Sequence, residues 1–308
     1  MIIKDIDFLG KRTLAFAVSG LLVLISIISL ATQGLQMGID FTGGTLIEVG
    51  YKESADLSVI RNALAEGGFS DALVQHFGSA KDVLIRLKPQ EGISSSELSN
   101  KVLEVMNKKT SERAELRRVE FVGPQVGDEL AEDGGLALLY AMFGILIYVA
   151  WRFEYKFSVG AVVALIHDVI ITMGFFSLLG LEFDLTVLAA VLAVVGYSIN
   201  DTIVVFDRVR DNFKMLRKEE SLTIMNVSIN ETLSRTLMTS FTTIIVVVAL
   251  AVLGGQTIHN FALALLVGIS VGTYSSIFIA SAIVLSMGVT QEDLMEPVKE
   301  GVDIDNMP

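Results

Sequence analysis

The residue types best suited to chemistry in this chain sit where water is scarce. Asn200 and Asp201 fall inside an apolar run, 185–206, that is followed by Asp207, Arg208 and Arg210. An ionisable side chain in hydrocarbon costs several kcal/mol unless it is paired, neutralised or facing a wet cavity, so Asp201 is a functional candidate by position. At a rise of 1.5 Å per residue it lies about 8 Å past the middle of the run, towards the end where the arginines emerge. Helical phase puts Tyr197, Asn200, Asp201, Val204 and Arg208 on one broad face, with Asp207 at its border. Asn200 offers a hydrogen-bond donor to the carboxylate. A polar clamp between helices is the competing explanation. Aspartate favours chemistry, because asparagine or serine makes the same clamp at lower cost.

Two further groups belong with it. Arg235 opens a face that continues through Thr239, Thr242 and Thr243, four, seven and eight residues on. An arginine at the mouth of that face is a natural counter-ion for Asp201, whereas an arginine taken alone is better read as snorkelling to the headgroups. His167 and Asp168 lie at the centre of another apolar run, 157–179. Histidine titrates near neutrality, so the pair could relay protons. One adjacent pair is not a path, and a hydrogen bond that couples two helices is the preferred reading. His167, Asp168 and Asp207 are thus secondary to Asp201, Arg235 and Asn200.

Other chemistries lack their residues. There is no cysteine, hence no disulfide, thiolate zinc site or Cys nucleophile. His76 stands alone in a strand-like stretch and reads as a satisfied structural histidine, since a metal needs partners at ligand spacing. Gly43-Gly44 opens a strand but lacks a P-loop lysine, and no dinucleotide fingerprint or GxSxG elbow occurs. The net charge of −12 argues against nucleic acid as a partner. No enzyme, cofactor or metal is expected.

The elements that must position these residues are membrane helices. The chain has 308 residues, 52% of them hydrophobic. The apolar residues gather in six runs, 14–31, 136–150, 157–179, 185–206, 237–253 and 261–287. About 20 such residues cross the hydrocarbon core. The first run is longer than the usual core of a cleaved signal peptide, so it reads as an uncleaved anchor. Lys4, Lys11, Arg12, Arg152, Lys156 and the basic residues 208–235 fall on one side of the six runs, while the short loops 180–184 and 254–260 have none. Both termini are therefore expected in the cytoplasm, with the long first loop outside. In the sixth run Gly268, Gly272, Ser276 and Ala280 recur every four residues, a packing stripe.

That first loop reads as the soluble part. Strand-like 45–49, helical 57–66, a hairpin of 71–77 and 83–87 across 78–81, helical 96–109 and strand-like 114–122 give the order β-α-β-β-α-β, the ferredoxin-like arrangement. Gly123-Pro124-Gln125-Val126-Gly127 reads as a plain turn. Residues 211–234 read as a charged, partly amphipathic segment suited to the membrane interface. The expected plan is a polytopic α-helical membrane protein of six transmembrane helices with a ferredoxin-like α+β periplasmic domain. It divides into 1–35, an N-terminus and first helix; 36–130, the domain; 131–290, a five-helix bundle; and 291–308, an acidic, solvated tail.

The motifs together resemble the SecD/SecF protein-export family of the resistance-nodulation-division superfamily. They are 38–44, 122–127, 152–154, His167-Asp168, 196–210, Arg235-Thr236 and Thr239-Ser240. The resemblance runs from about residue 4 to 290. It implies a bacterial inner-membrane auxiliary of the Sec translocase that pairs with SecD. It also implies association with the SecYEG translocon and YajC, and use of the proton-motive force to draw preproteins outward. By motif, the intramembrane aspartate is Asp201 and the arginine Arg235. The family's other proton-path aspartate belongs to the SecD half. Two alternatives remain: a structural scaffold of the translocase with no proton path of its own, and half of a small-molecule exporter. The exporter would need a second porter domain or an internal repeat, which this chain lacks.

Overall fold

A bilayer leaves a backbone nothing to hydrogen-bond with but itself, so apolar runs of this length become helices. The computed structural model describes residues 6–89, 94–109 and 113–294. The expected tail, apart from 291–294, lies outside the described residues. Among the described residues, six helical stretches are long and apolar enough to cross a membrane. In chain order the first is α1 (Arg12–Thr32), led by a short 3₁₀ turn. Then come β1 (Gln36–Met37), α2 (Ile39–Thr42), β2 (Gly44–Gly50), α3 (Leu57–Glu66), β3 (Leu73–Phe77), β4 (Ser79–Leu87), α4 (Ser95–Lys109) and β5 (Glu115–Val122). The remaining spans are α5 (Pro124–Arg152), α6 (Tyr155–Leu179), α7 (Leu185–Met215, after β6, Glu182–Phe183), α8 (Ser221–Leu253) and a composite of α9 (His259–Ser275) and α10 (Ser281–Ser286).

The strands of the first loop form one antiparallel sheet in the order β3-β4-β2-β5. That is the split βαβ arrangement expected from the element order. Strand alternation sends Ile47, Val49, Val83 and Ile85 to one face, where they meet Ile60 and Leu64 of α3 and Val102 and Met106 of α4. Leu46 and Leu84 face the other way, with Ile39 of α2. The hairpin differs from its expected form. β4 begins at Ser79, so Gly78, at φ +78°, carries most of the turn. His76 is exposed on β3, which is the edge strand of the sheet, and does not sit in the core.

The glycine pair and the Gly-Pro-Gln-Val-Gly segment prove to be one structure. Gly43 and Gly44 take φ of +66° and +131°, backbone that other residues rarely adopt. A Cβ on Gly127 would sit 2.6 Å from the Gly43 nitrogen, and one on Gly43 would sit 2.8 Å from the Pro124 Cα. The two segments therefore interlock backbone to backbone. Residues 124–127 are not a turn but the first turn of α5, with Pro124 in the opening positions. Proline is suited there, because its missing N–H has no helical partner to lose. A second contact was not foreseen. β1 pairs in parallel with β6, joining the chain after α1 to the 180–184 loop.

In the bundle α6, α7 and the α9–α10 composite are central, with 50–56% of their apolar windows buried, against 11–22% for α1, α5 and α8. Phe153, Phe157 and Phe206 stack edge to face where α5, α6 and α7 meet. The small-residue stripe does pack closely: a Cβ on Gly272 would touch Ser198 of α7 at 3.0 Å. Beyond Ser275 the helix widens into one π turn, Ser276–Ala280, and the Ser281 hydroxyl donates to the Ser276 carbonyl at 3.2 Å. Residues 211–234 do not form a separate amphipathic element. α7 and α8 run through them as a helical hairpin, pinned by Arg208–Glu231 at 2.6 Å and by Asn212 to Ser228 at 3.0 Å. Those side-chain pairs satisfy polar groups that a surface helix would have given to headgroups.

Candidate functional site between the central helices

α7 is aimed by its N-terminus. Asp184 caps it, accepting from the Val187 N–H at 2.8 Å, and Asp40 of α2 accepts from the Leu185 N–H at 3.0 Å. About four and a half turns on, Asp201 is only 3% exposed. Among the described residues its Oδ2 has no hydrogen-bond partner. Ser240 of α8 lies beside the carboxylate, and Arg235 contributes a positive charge to its surroundings. Ser240 also shares a 2.6 Å hydrogen bond with Thr273 of α9, so Asp201 faces the seam of three helices.

The other proposed members are placed differently. Arg235 is exposed, and among the described residues no ion pair within 4.0 Å joins it to Asp201. Asn200 also points outward and makes no hydrogen bond to Asp201 among the described residues. Successive helical residues diverge by about 100°, and packing chose Asp201 as the inward one. Asp207 pairs with Arg152 at 2.8 Å on a surface where each is more than 40% exposed. Thr239, Thr242 and Thr243 return their hydroxyls to carbonyls of their own helix, although the Tyr197 hydroxyl reaches Thr243 at 3.4 Å.

His167 and Asp168 lie on the opposite side of α9. The Asp168 carboxylate, 1% exposed, receives three hydrogen bonds. His167 Nδ1 lies 2.9 Å from one oxygen; Ser198 of α7 and Ser275 of α9 donate to the other at 2.6 and 2.7 Å. The Tyr274 ring stands 6.5 Å from that of His167, and its hydroxyl donates to the Ala15 carbonyl of α1 at 3.1 Å. Ser198, Ser275 and Tyr274 escaped the sequence reading. Serines are common in membrane helices, and only helix phase around a known carboxylate singles these out.

At the far end of the bundle the α+β domain is tethered by an Arg86–Glu182 ion pair, and Arg86 also donates to the Met37 carbonyl at 2.8 Å. Burial pushes the Glu182 carboxyl above the usual glutamate range, against the pull of Arg86, with Asp184, Asp40 and Glu120 adding to the rise. The folded chain therefore holds this proton more tightly than the unfolded chain does. The resulting stabilisation is complete below the ordinary value of 4.5 and is lost as pH rises through the folded value. Thermal melts of the detergent-solubilised chain should show this loss between acid and neutral pH. Glu182→Gln should flatten it, and an unchanged pH slope would contradict the assignment.

Among the described residues no cluster of His, Asp and Glu is arranged to hold a metal ion. A cavity of about 580 Å³ lies against Met37, Thr42, Leu73 and Arg86, far along the chain from Asp201.

Comparison with known proteins sharpens the assignment. Residues 102–290 match the family described as Protein export membrane protein SecD/SecF, C-terminal, and residues 28–55 match the SecD/SecF GG Motif. The chain belongs to the SecD/SecF family.

His167, Asp168, Asn200, Asp201, Asp207 and Arg235 all fall inside the SecD/SecF C-terminal match. The GG motif brings together Gly43 and Gly44, which interlock with the start of α5. Among the SecD/SecF relatives, the protein translocase subunit SecF of Vibrio alginolyticus is 54% identical, over 99% of this chain and 98% of its own length. That of Escherichia coli O157:H7 is 44% identical over 97% and 94%. The crystal structure of SecDF, a translocon-associated membrane protein from Thermus thermophilus, superposes with a TM-score of 0.84 at 39% identity. The match covers 92% of this chain and 38% of that one, so the chain spans less than half of the SecDF polypeptide. The protein is thus a multi-pass membrane protein whose relatives are translocase subunits.

Proposed function

We propose that this chain pairs with SecD in the bacterial inner membrane, with both termini cytoplasmic and the α+β domain periplasmic. It is a transport subunit, not an enzyme, and uses the proton-motive force to promote preprotein export beside the SecYEG translocon and YajC. The observation that carries this reading is Asp201. A carboxylate with an unpartnered oxygen, 3% exposed in a membrane helix, is held ready to exchange a proton. Asn200 and Arg235 face outward from α7 and α8 within the spans, which supports a second membrane subunit covering them. Arg235 would then tune the charge of Asp201 from that interface, and Asn200 would orient groups of the partner rather than of this chain.

One elementary charge crossing 100 mV releases about 2.3 kcal/mol, enough over several protons to bias a two-state motion of the periplasmic domain. The tether through Glu182 and the interlocked 43–44 and 124–127 segments give the membrane helices mechanical hold on that domain. Proton flux tests the reading. Liposomes carrying this chain together with SecD should conduct protons down an imposed pH gradient, and liposomes carrying either chain alone should not. Conductance no greater than that of empty vesicles would favour a scaffold role instead.

A further inference from the structure

We propose that His167 is a second proton-binding site of the bundle, separate from Asp201, and that the proton is taken up on Nε2 against the fixed carboxylate of Asp168. His167 is 7% exposed, and its Nε2 is buried with no hydrogen-bond partner among the described residues. The rest of the cluster explains why that atom is the open position. Both oxygens of Asp168 are engaged by donors: Ser198 and Ser275 on one, His167 Nδ1 on the other. The cluster is thus built around an accepting carboxylate. An ionised Asp168 can only accept, so Nδ1 carries the hydrogen and the neutral ring presents a lone pair at Nε2.

In that state the cluster holds an uncompensated negative charge in the middle of the membrane bundle, which is costly. A proton added at Nε2 converts it to an imidazolium–carboxylate pair of zero net charge. No other bond changes and no co-reactant is needed. Uptake here exchanges an expensive lone charge for a hydrogen-bonded pair, whereas Asp201 becomes neutral by being protonated itself.

The groups facing the ring are few. α9 brings Tyr274, whose hydroxyl is committed to the Ala15 carbonyl, and α7 brings Ser198 and, one turn further, Asp201. α1 between Thr13 and Thr32, the π turn and α10 carry no charged side chain, and the charged residues of α5 lie near its ends, at 128–133 and Arg152. The seam also connects the two carboxylates. The Thr273–Ser275 segment sends Thr273 to Ser240 beside Asp201, Tyr274 to α1 and Ser275 to Asp168. It runs directly into the π turn, a departure from regular helix often found at functional positions.

The site is read out without any export activity, so its failure is distinct from failure of the Asp201 reading. The full chain carries three histidines. His76→Gln and His259→Gln leave His167 alone for ¹⁵N-histidine spectroscopy in lipid vesicles. As the pH falls the Nε2 resonance should pass from unprotonated to protonated, with Nδ1 protonated throughout. Asp168→Asn should displace the midpoint by about one pH unit or more. Should that variant fail to insert, Ser275→Ala, which removes one donor to Asp168, should displace it by a smaller amount. An Nε2 that never changes protonation, an Nδ1 that loses its hydrogen, or a midpoint indifferent to these substitutions overturns the proposal.

Discussion

Asp201→Asn is expected to abolish the part of preprotein export that depends on the proton-motive force, while the bundle still assembles with its partner. Asparagine has the shape of aspartate and keeps a carbonyl oxygen beside Ser240, so packing at the α7–α8–α9 seam is retained. What it loses is the proton-binding oxygen. Removing an ionisable group from hydrocarbon costs no stability, so the variant should be at least as stable as the parent. Export into inverted membrane vesicles, with and without an ionophore, measures the effect. The parent should slow when the gradient is collapsed, and the variant should run at the collapsed rate in both cases. Asp207→Asn is the control. Its ion pair with Arg152 is more than 40% exposed on both sides, worth about 0–1 kcal/mol, and its loss should leave export unchanged. Full gradient-dependent export by Asp201→Asn would remove Asp201 from the proton path.

The second large effect concerns stability. Asp168→Ala should destabilise the folded bundle by about 3–5 kcal/mol, the usual cost of deleting one partner of a buried charged network. Three donors from three helices converge on that carboxylate, and alanine leaves a cavity where they met. Ser275 can fall back on the Gly272 carbonyl, to which it already donates at 3.1 Å, so Ser275→Ala should cost only about 1 kcal/mol. Ser198 has no such second bond among the described residues, and Ser198→Ala should cost more than Ser275→Ala. Reversible unfolding of the detergent-solubilised chain followed by circular dichroism ranks the three. An Asp168→Ala midpoint equal to the parent's would mean that the cluster does not hold α6, α7 and α9 together.

The ranking matters for the two proton readings. If Asp168 is both a tether and the partner of His167, asparagine should preserve most of the tether while changing the titration of the ring. Alanine would remove both. The pair of substitutions thus separates what the carboxylate holds in place from what its charge does.

Much of this architecture follows from local physical chemistry. Six runs of apolar side chains have no folded alternative in a bilayer, and all six became spans. Leu57–Glu66 was legible to the residue, because its apolar spacing ends at Gly67-Gly68. The ferredoxin-like arrangement of the sheet was legible from the order of its elements. Asp201 stood out as a candidate for a similar reason, since the cost of a carboxylate in hydrocarbon depends on its depth and not on its neighbours. The neighbours were decided only by the tertiary structure. Helical phase admits both Asn200 and Asp201 to one broad face, and interhelical packing turned one in and the other out. Ser198 and Ser275 are 77 residues apart in the chain and meet only because α7 and α9 close on Asp168. The Gly-Pro-Gln-Val-Gly segment reads locally as a turn. It becomes a helix start because Gly43 and Gly44 leave room for Pro124 and Gly127 against their backbone, a contact that no window of sequence contains.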